Sequence, residues 1–337
     1  LNINQAFTKK TCSMMLSKKL IILICYLAFC LNFSILAQTP SLSQLFYPNI
    51  SLRADFMPSI TMDNGQKFGL NRSSAVGIIP LSTEISAGIG FGKKADIQAK
   101  HSLLIANLAQ INPTIDGKEQ PDGGYKTLGI TFVQLKASLR EKFWVYGVGG
   151  GVTQSNETFF NPQPYFYGGA ARLRILGLKT QILYGTAIVF SQKFRIIPIF
   201  GFTKALGDDW KVSGILPFRA SVTYKASPWL HLDFNTVYDG YSAGYQDYAL
   251  TEKLLRRQNL QQVRFTLSAN AHLLNVFNLG IEGGVAGFRQ LKTFNSANEN
   301  LATASLPVTP YLGVSLRYIT SKSKLSSKFL KGTGIDF

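Results

Sequence analysis

The sequence predicts an all-β fold, a transmembrane, antiparallel, up-and-down β-barrel of about 12–14 strands, the number being even as in single-chain barrels of this kind. Three observations lead there. Apolar and polar residues alternate through run after run of roughly ten residues, the length a tilted strand needs to cross a bilayer. The chain is 46% hydrophobic but only 16% charged, and one long apolar run, Leu20–Leu36, stands where a helical membrane protein shows several. Aromatic rings close the ends of the apolar rows, as two membrane interfaces require.

That apolar run follows Lys18 and Lys19 and ends in Ser34-Ile35-Leu36-Ala37 before Gln38. A basic start, a short apolar core and a small-residue exit describe a cleavable signal peptide, so residues 1–37 are read as a leader. The start is Leu1 or Met14/Met15, the latter leaving 1–13 untranslated. Cys30 raises the alternative of a lipoprotein cysteine, but Phe29 before it is too large for that cleavage. Cys12, Cys25 and Cys30 all lie in the leader, so the exported chain is expected to have no disulfide and no thiolate chemistry. Losing Lys9, Lys10, Lys18 and Lys19 takes four charges from the formal +17. The surplus that remains is placed in the lumen, in the loops and near anionic head groups.

The barrel is expected over 50–319, after a short periplasmic segment at 38–49 and before a flexible basic tail at 320–337. Ile50–Ile60 sets Ile50, Leu52, Ala54 and Phe56 against Arg53 and Asp55. Tyr165, Tyr167, Ala171 and Leu173 oppose Arg172 and Arg174, and Ile182, Tyr184 and Ile188 oppose Lys179 and Gln181. The run from Trp210 to Tyr224 alternates throughout, with Lys211, Arg219 and then Lys225 on the polar side and Ile215 as its one apolar exception. Leu230, Leu232 and Phe234 oppose His231, Asp233 and Asp239, while Val263–Leu273 opposes Arg264 and His272. Phe277–Val285 carries Glu282 on its polar side, and Val308–Tyr318 carries Arg317. Less regular runs cover Phe68–Pro80, Glu84–Phe91, His101–Ile111, Lys126–Leu139, Lys142–Val152 and Arg195–Ala205, and a parity switch between Phe132 and Val133 suggests a bulge. Tight turns are read at Leu176-Gly177, Ala226-Ser227-Pro228 and Leu274-Asn275, and long polar loops at Asn112–Gly124, Gln154–Pro164, Gly240–Gln258 and Lys292–Ser305. A soluble sandwich also alternates, but it turns its oily face inward and many charges outward. Here the polar face is largely Ser, Thr, Asn and Gly.

Candidate sites follow from those faces. Placing the apolar parity in lipid puts Arg53, Arg172, Arg174, Lys179, Lys211, Arg219, Lys225, Arg264 and Arg317 in the lumen, with Asp55, His231, Asp233, Asp239, His272 and Glu282 as their acidic and histidine partners. An excess of bases over acids in a water-filled lumen favours anions. Trp144, Tyr165, Trp210, Tyr224, Tyr238 and Tyr318 are read as interface aromatics. Gly147, Gly149, Gly150 and Gly151 resemble a phosphate loop only superficially. No helix pattern follows them, and their period of two fits a strand that leaves room for neighbouring side chains. His101, His231 and His272 lack the spacing of a metal pair or of a barrel hydrolase, so no catalytic or metal role and no cofactor is expected.

The leader ending in Ala37-Gln38 and the segment Ile197-Pro198-Ile199-Phe200-Gly201-Phe202, Asp209-Trp210-Lys211-Val212, Leu216-Pro217 and Tyr224 resemble the uncharacterised Bacteroidota family of outer-membrane β-barrel porins. In that family a proline-containing strand is followed by a short turn, a strand opening on Trp and a Leu-Pro step. The resemblance implies a barrel in the outer membrane and brings no catalytic residue or ligand. The expectation is a passive channel for small solutes with a mild anion preference. A closed barrel with a structural or surface-interaction role is the alternative, and an outer-membrane hydrolase the weakest reading. Outer-membrane lipid, the barrel-assembly machinery and an unknown small solute are the expected partners, and nucleic acid is not.

Overall fold

Period-two alternation with few helix-forming segments leaves backbone hydrogen bonds to be satisfied between strands, and a closed sheet is the way to do that without exposed edges. In a computed structural model the described residues are 48–319, apart from 89–95, 120, 122, 139–142, 156–161, 178, 192, 248–253 and 274–275. The leader, most of the short segment after it and the basic tail lie outside the described residues. The elements are β1 (Asn49–Thr61), β2 (Lys67–Gly88), β3 (Asp96–Ile115), β4 (Lys118–Glu119), β5 (Tyr125–Ser138) and β6 (Phe143–Ser155). They continue with β7 (Gln163–Gly177), β8 (Thr180–Phe190), β9 (Phe194–Leu206), β10 (Trp210–Leu216) and β11 (Arg219–Ser227). The last are β12 (Leu230–Asp247), β13 (Leu254–Leu273), β14 (Phe277–Asn295), β15 (Asn300–Leu306) and β16 (Thr309–Ile319).

All pairings are antiparallel. Every strand but β4 and β15 joins one continuous ring, closed by β1 against β16 and β13 against β14, which makes a barrel of 14 strands. The short β4 and β15 are hairpin partners of β3 and β14. Among the described residues no helix is long and apolar enough to cross a membrane.

The strand boundaries differ from the sequence reading in two compensating ways. Phe68–Pro80 and the start of Glu84–Phe91 form one long strand, β2, with a register slip between Pro80 and Ser82. The alternating run Trp210–Tyr224 is two strands, β10 and β11, turning at Pro217-Phe218, where the Phe218 N–H donates to the Ile215 carbonyl at 2.8 Å. Its parity survives because Trp210 pairs with Tyr224 directly across the hairpin and so shares its face. No bulge separates Phe132 from Val133, for β5 keeps an unbroken register with both neighbours. Phe132 faces out, and Val133 packs inside with Ile78 and Leu103. Much of the expected loop at Gly240–Gln258 is strand, as β12 runs on to Asp247 and β13 starts at Leu254. Lys292–Ser305 likewise continues β14 and turns into β15.

The outer wall is apolar. Val148, Ile196 and Leu267 are 60% exposed or more, and Ile50, Leu52, Phe56, Leu312 and Leu316 share that face. Apolar clusters also line the inside. Ala171, Leu173 and Leu183 form one, and Ala187, Val189, Ile197 and Phe218 another.

Candidate functional site

A central charge cluster is built from strands that are not neighbours. Asp55 on β1 pairs in register with Arg72 on β2, and both point inward. Arg72 donates from Nε to Asp55 at 2.9 Å, and from Nη1 and Nη2 to the two oxygens of Asp239 on β12 at 2.8 and 3.0 Å. Five strand steps of wall separate β2 from β12, passing β1, β16, β14 and β13. That is roughly 24 Å of sheet at the usual spacing, so the contact crosses the interior. Arg264 on β13 completes the cluster, 3.1 Å from Asp239 and 3.9 Å from Asp55. Arg53 donates to Asp55 at 2.7 Å and also reaches Glu282 and the Tyr311 hydroxyl. Thr266 and Tyr311 donate to Glu282 and Asp55 respectively. The side chains of Asp55, Asp239 and Arg264 are 1–3% exposed. Charges this deeply placed persist only when paired and hydrogen-bonded, and here each carboxylate has at least one guanidinium.

The cluster spans the interior because the far halves of β12 and β13 have left the wall. The β10–β11 hairpin ends at Pro217-Phe218, so β12 beyond Val237 has no wall neighbour on that side. The Tyr238 N–H takes the last bond, donating to the Phe218 carbonyl at 2.8 Å. The β13–β14 register then slips between Gln261 and Val263, and Phe288 opposite adopts φ +50°. β12 also approaches β6, six strands away around the wall, and Gly244 near its end lies against the Gln163 side chain of β7. Tyr241, Ala243 and Leu260 are buried there against Met57, Phe68, Leu70, Ile111 and Tyr125. The Tyr125 and Tyr241 rings lie 5.5 Å apart, and both hydroxyls donate to Gln258. The described residues 239–247 and 254–262 thus form a pair of strand ends folded into the mouth of the barrel, a flap opposite the end that holds Asn49 and Ile319. Arg289 ties the flap to β14, donating to Gln262 at 3.1 Å with its guanidinium over Phe68.

The structure divides the expected lumen residues. Arg53, Asp55, Asp239, Arg264 and Glu282 meet in the central cluster. Arg219 lies beside it, donating to Asn235 at 2.7 Å. Lys211, Lys225, Asp233, His231, His272 and Arg317 face inward nearer the terminal end. Asp233 accepts from Thr223 and from Asn270, and His272 Nε2 lies 3.2 Å from His231 Nδ1. His101 meets Thr83 at 2.8 Å.

Three basic residues are not in the lumen. Arg172 and Arg174 face outward, since they pair with the outward Tyr184 and Ile182. The apolar parity of β7 points inward instead, because glycines on β6 vacate the space it needs. A Cβ on Gly149 would lie 2.8 Å from the Tyr167 ring, and one on Gly151 would collide with Tyr165. Lys179 sits on the rim, bound to Asp208 of the next turn at 3.0 Å. Two aromatics also leave the interface: Tyr165 is inward and 2% exposed, and Tyr238 packs on Phe218 and Ile197 where β12 turns inward. Trp144, Trp210, Tyr224 and Tyr318 do lie on the outer face.

Sequence reasoning missed Arg72, Tyr311, Arg289 and the flap. The sequence signal for Arg72 is its parity with Phe68 and Leu70, a row that the structure buries inside the barrel.

A closed antiparallel ring with aliphatic and aromatic side chains outside and buried charge inside defines a transmembrane β-barrel of the outer-membrane type. No family model matches this chain, and no curated protein matches it. Among solved structures, an outer-membrane channel from Pseudomonas putida F1 aligns over 81% of this chain and 95% of its own, at 11% identity and a TM-score of 0.33. The β domain of the Bordetella autotransporter BrkA aligns over 81% and 99%, at 10% identity and a TM-score of 0.24. The toluene transporter TodX of P. putida aligns over 86% and 92%, at 8% identity and a TM-score of 0.23. Likeness this distant goes no further than the fold, and the fold assignment rests on the strand pairing.

Proposed function

We propose that this chain is an outer-membrane channel for small solutes, held shut by the flap of residues 239–247 and 254–262 and mildly anion-preferring when the flap lifts. The observation that carries this reading is the bridge from Asp239 to Arg72 and Arg264, which fastens a strand segment to the far wall through the interior. A bent segment fastened across the interior by a buried ionic bridge, in addition to its ladder to β14 and the packing of Tyr241 and Leu260, is the type of two-state element that gating uses. The remaining inward charges at the terminal end, Lys211, Lys225 and Arg317 against Asp233, favour anions. Export by a signal peptide cleaved near Ala37, assembly by the barrel machinery and membership of the Bacteroidota porin family belong to the same proposal. It calls for no cofactor.

The apolar burial of Tyr241, Ala243 and Leu260 also favours a second reading, a permanently closed barrel with a structural or surface role. Planar-bilayer recording separates the two. Full-length protein is compared with a variant in which residues 242–259 are replaced by an Asn-Gly turn joining Tyr241 to Leu260, which pair in register. The channel reading expects brief, small openings from the first and steady, larger conductance from the second, with reversal potentials on the chloride side. A silent flapless variant leaves the closed barrel standing, and a cation-side reversal removes the anion preference.

A further inference from the structure

Outward charges on a transmembrane barrel are costly at mid-bilayer and cost little near the interface, so their placement is informative. On the outer face of β10–β14, β16 and β1, before each strand bends inward, the described residues include no charged side chain. The opposite sector is different. Lys136, Arg172, Arg174 and Lys204 all occupy outward positions on β5, β7 and β9, and no carboxylate occupies an outward position on β5–β9 among the described residues. Lys100 lies one strand further on, but there Glu84 stands directly across from it.

The geometry within this sector is specific. Arg172 pairs in register with Trp144 on one side and Tyr184 on the other, and its guanidinium carbon lies 5.8 Å from the centre of the Trp144 ring. Tryptophan marks the head-group level of a membrane, so Arg172 sits at that level. Its Nε is shielded from solvent and has no protein acceptor. Arg174 is two residues nearer the turn on the same face, opposite Ile182. Lys204 lies two strands away, opposite Thr180 and Val212 and two residues beyond the row of Arg174. That puts its backbone roughly 12 Å from that of Arg174 at normal strand spacing and rise, within reach of two long side chains that share one phosphate. Trp144 and Tyr146 stack at 5.9 Å beside them and give the group an aromatic floor.

We infer that Trp144, Arg172, Arg174 and Lys204 form a site on the outer wall for the phosphate of an anionic phospholipid, in the leaflet at the barrel end that carries Asn49 and Ile319. Guanidinium groups bind phosphate bidentately, and the ring next to them accommodates the glycerol backbone and upper acyl chain. The site is a property of the lipid-facing surface and does not depend on whether the lumen conducts.

The test is lipid retention. Full-length protein refolded into vesicles of equal parts phosphatidylcholine and phosphatidylglycerol is extracted in mild detergent, and bound lipid is measured by native mass spectrometry. The expected result is retained phosphatidylglycerol that falls at least about tenfold in Arg172→Ala/Arg174→Ala/Lys204→Ala, in line with the surface attraction of several basic residues. Phosphatidylcholine retention stays unchanged, and Lys211→Gln/Lys225→Gln in the lumen behaves as wild type. A heat-modifiable gel shift confirms that each variant folds, and Arg172→Lys/Arg174→Lys serves as a milder variant that retains part of the lipid. Equal retention by wild type and the triple variant overturns the site, as does an equal loss in the lumen variant. Displacement of the lipid by millimolar inorganic phosphate overturns the lipid in favour of a free-anion site.

Discussion

Asp239 is the residue on which the interior turns. It accepts two hydrogen bonds from Arg72 and lies 3.1 Å from Arg264, with its side chain 1% exposed. Removing one member of such a buried group leaves the others uncompensated, which typically costs about 3–5 kcal/mol. Asp239→Asn is therefore expected to lower the unfolding free energy of the refolded barrel by that amount, measured by urea titration in vesicles. The joint change Arg72→Met/Asp239→Leu is expected to recover much of the loss, because it removes the charges together. A neutral effect of Asp239→Asn would mean that the bridge does not hold the flap. This residue was legible in sequence as an inward carboxylate, and its partner was not. Arg72 shares parity with Phe68 and Leu70, and an apolar row can face packed protein as well as lipid.

At the scale of elements, alternation showed where strands lie but not where they end. Trp210 and Tyr224 stand on one face whether 210–224 is one strand or a hairpin, since both arrangements preserve the parity. The hairpin places the two rings 4.7 Å apart, whereas a single strand would set them more than about 40 Å apart. A double-mutant cycle on Trp210→Ala and Tyr224→Ala is expected to give a coupling of about 0.5–1.5 kcal/mol, read from unfolding midpoints. Zero coupling would break the hairpin. The inversion of β7 has a similar origin. Tyr165-Phe166-Tyr167 offers aromatics to both faces, and the decision falls to the neighbours, where Gly149 and Gly151 open the inside. The glycine spacing was visible in sequence as a strand feature. Which rings it would receive depends on register, and register is a long-range property.

For the whole molecule, the redistribution of charge sharpens what the lumen can select. Arg172, Arg174 and Lys179 leave the inside and Arg72 and Arg289 join it, so along β1, β2, β10–β14 and β16 the inward bases include Arg53, Arg72, Lys211, Arg219, Lys225, Arg264, Arg289 and Arg317, facing Asp55, Asp233, Asp239 and Glu282. The bases do not act equally. Arg53, Arg72 and Arg264 are matched by Asp55, Asp239 and Glu282 in the central cluster, and paired charges project little field into water. The net positive field comes from Lys211, Arg219, Lys225 and Arg317 toward the terminal end, where the Asp233 carboxylate offsets one of the four. Neutralising Lys211, Lys225 and Arg317 in the flapless barrel is expected to move the reversal potential toward zero or to the cation side. Neutralising the outward Arg172 and Arg174 is expected to leave it where it was. Raising salt to about 1 M, where the screening length falls to about 3 Å, should weaken the preference of the unmodified lumen toward that of the neutralised one. Should Arg172 and Arg174 govern selectivity instead, the inward and outward faces of β7 would have to be exchanged, and the packing of Tyr165 and Tyr167 against Gly149 and Gly151 would have to be given up with them.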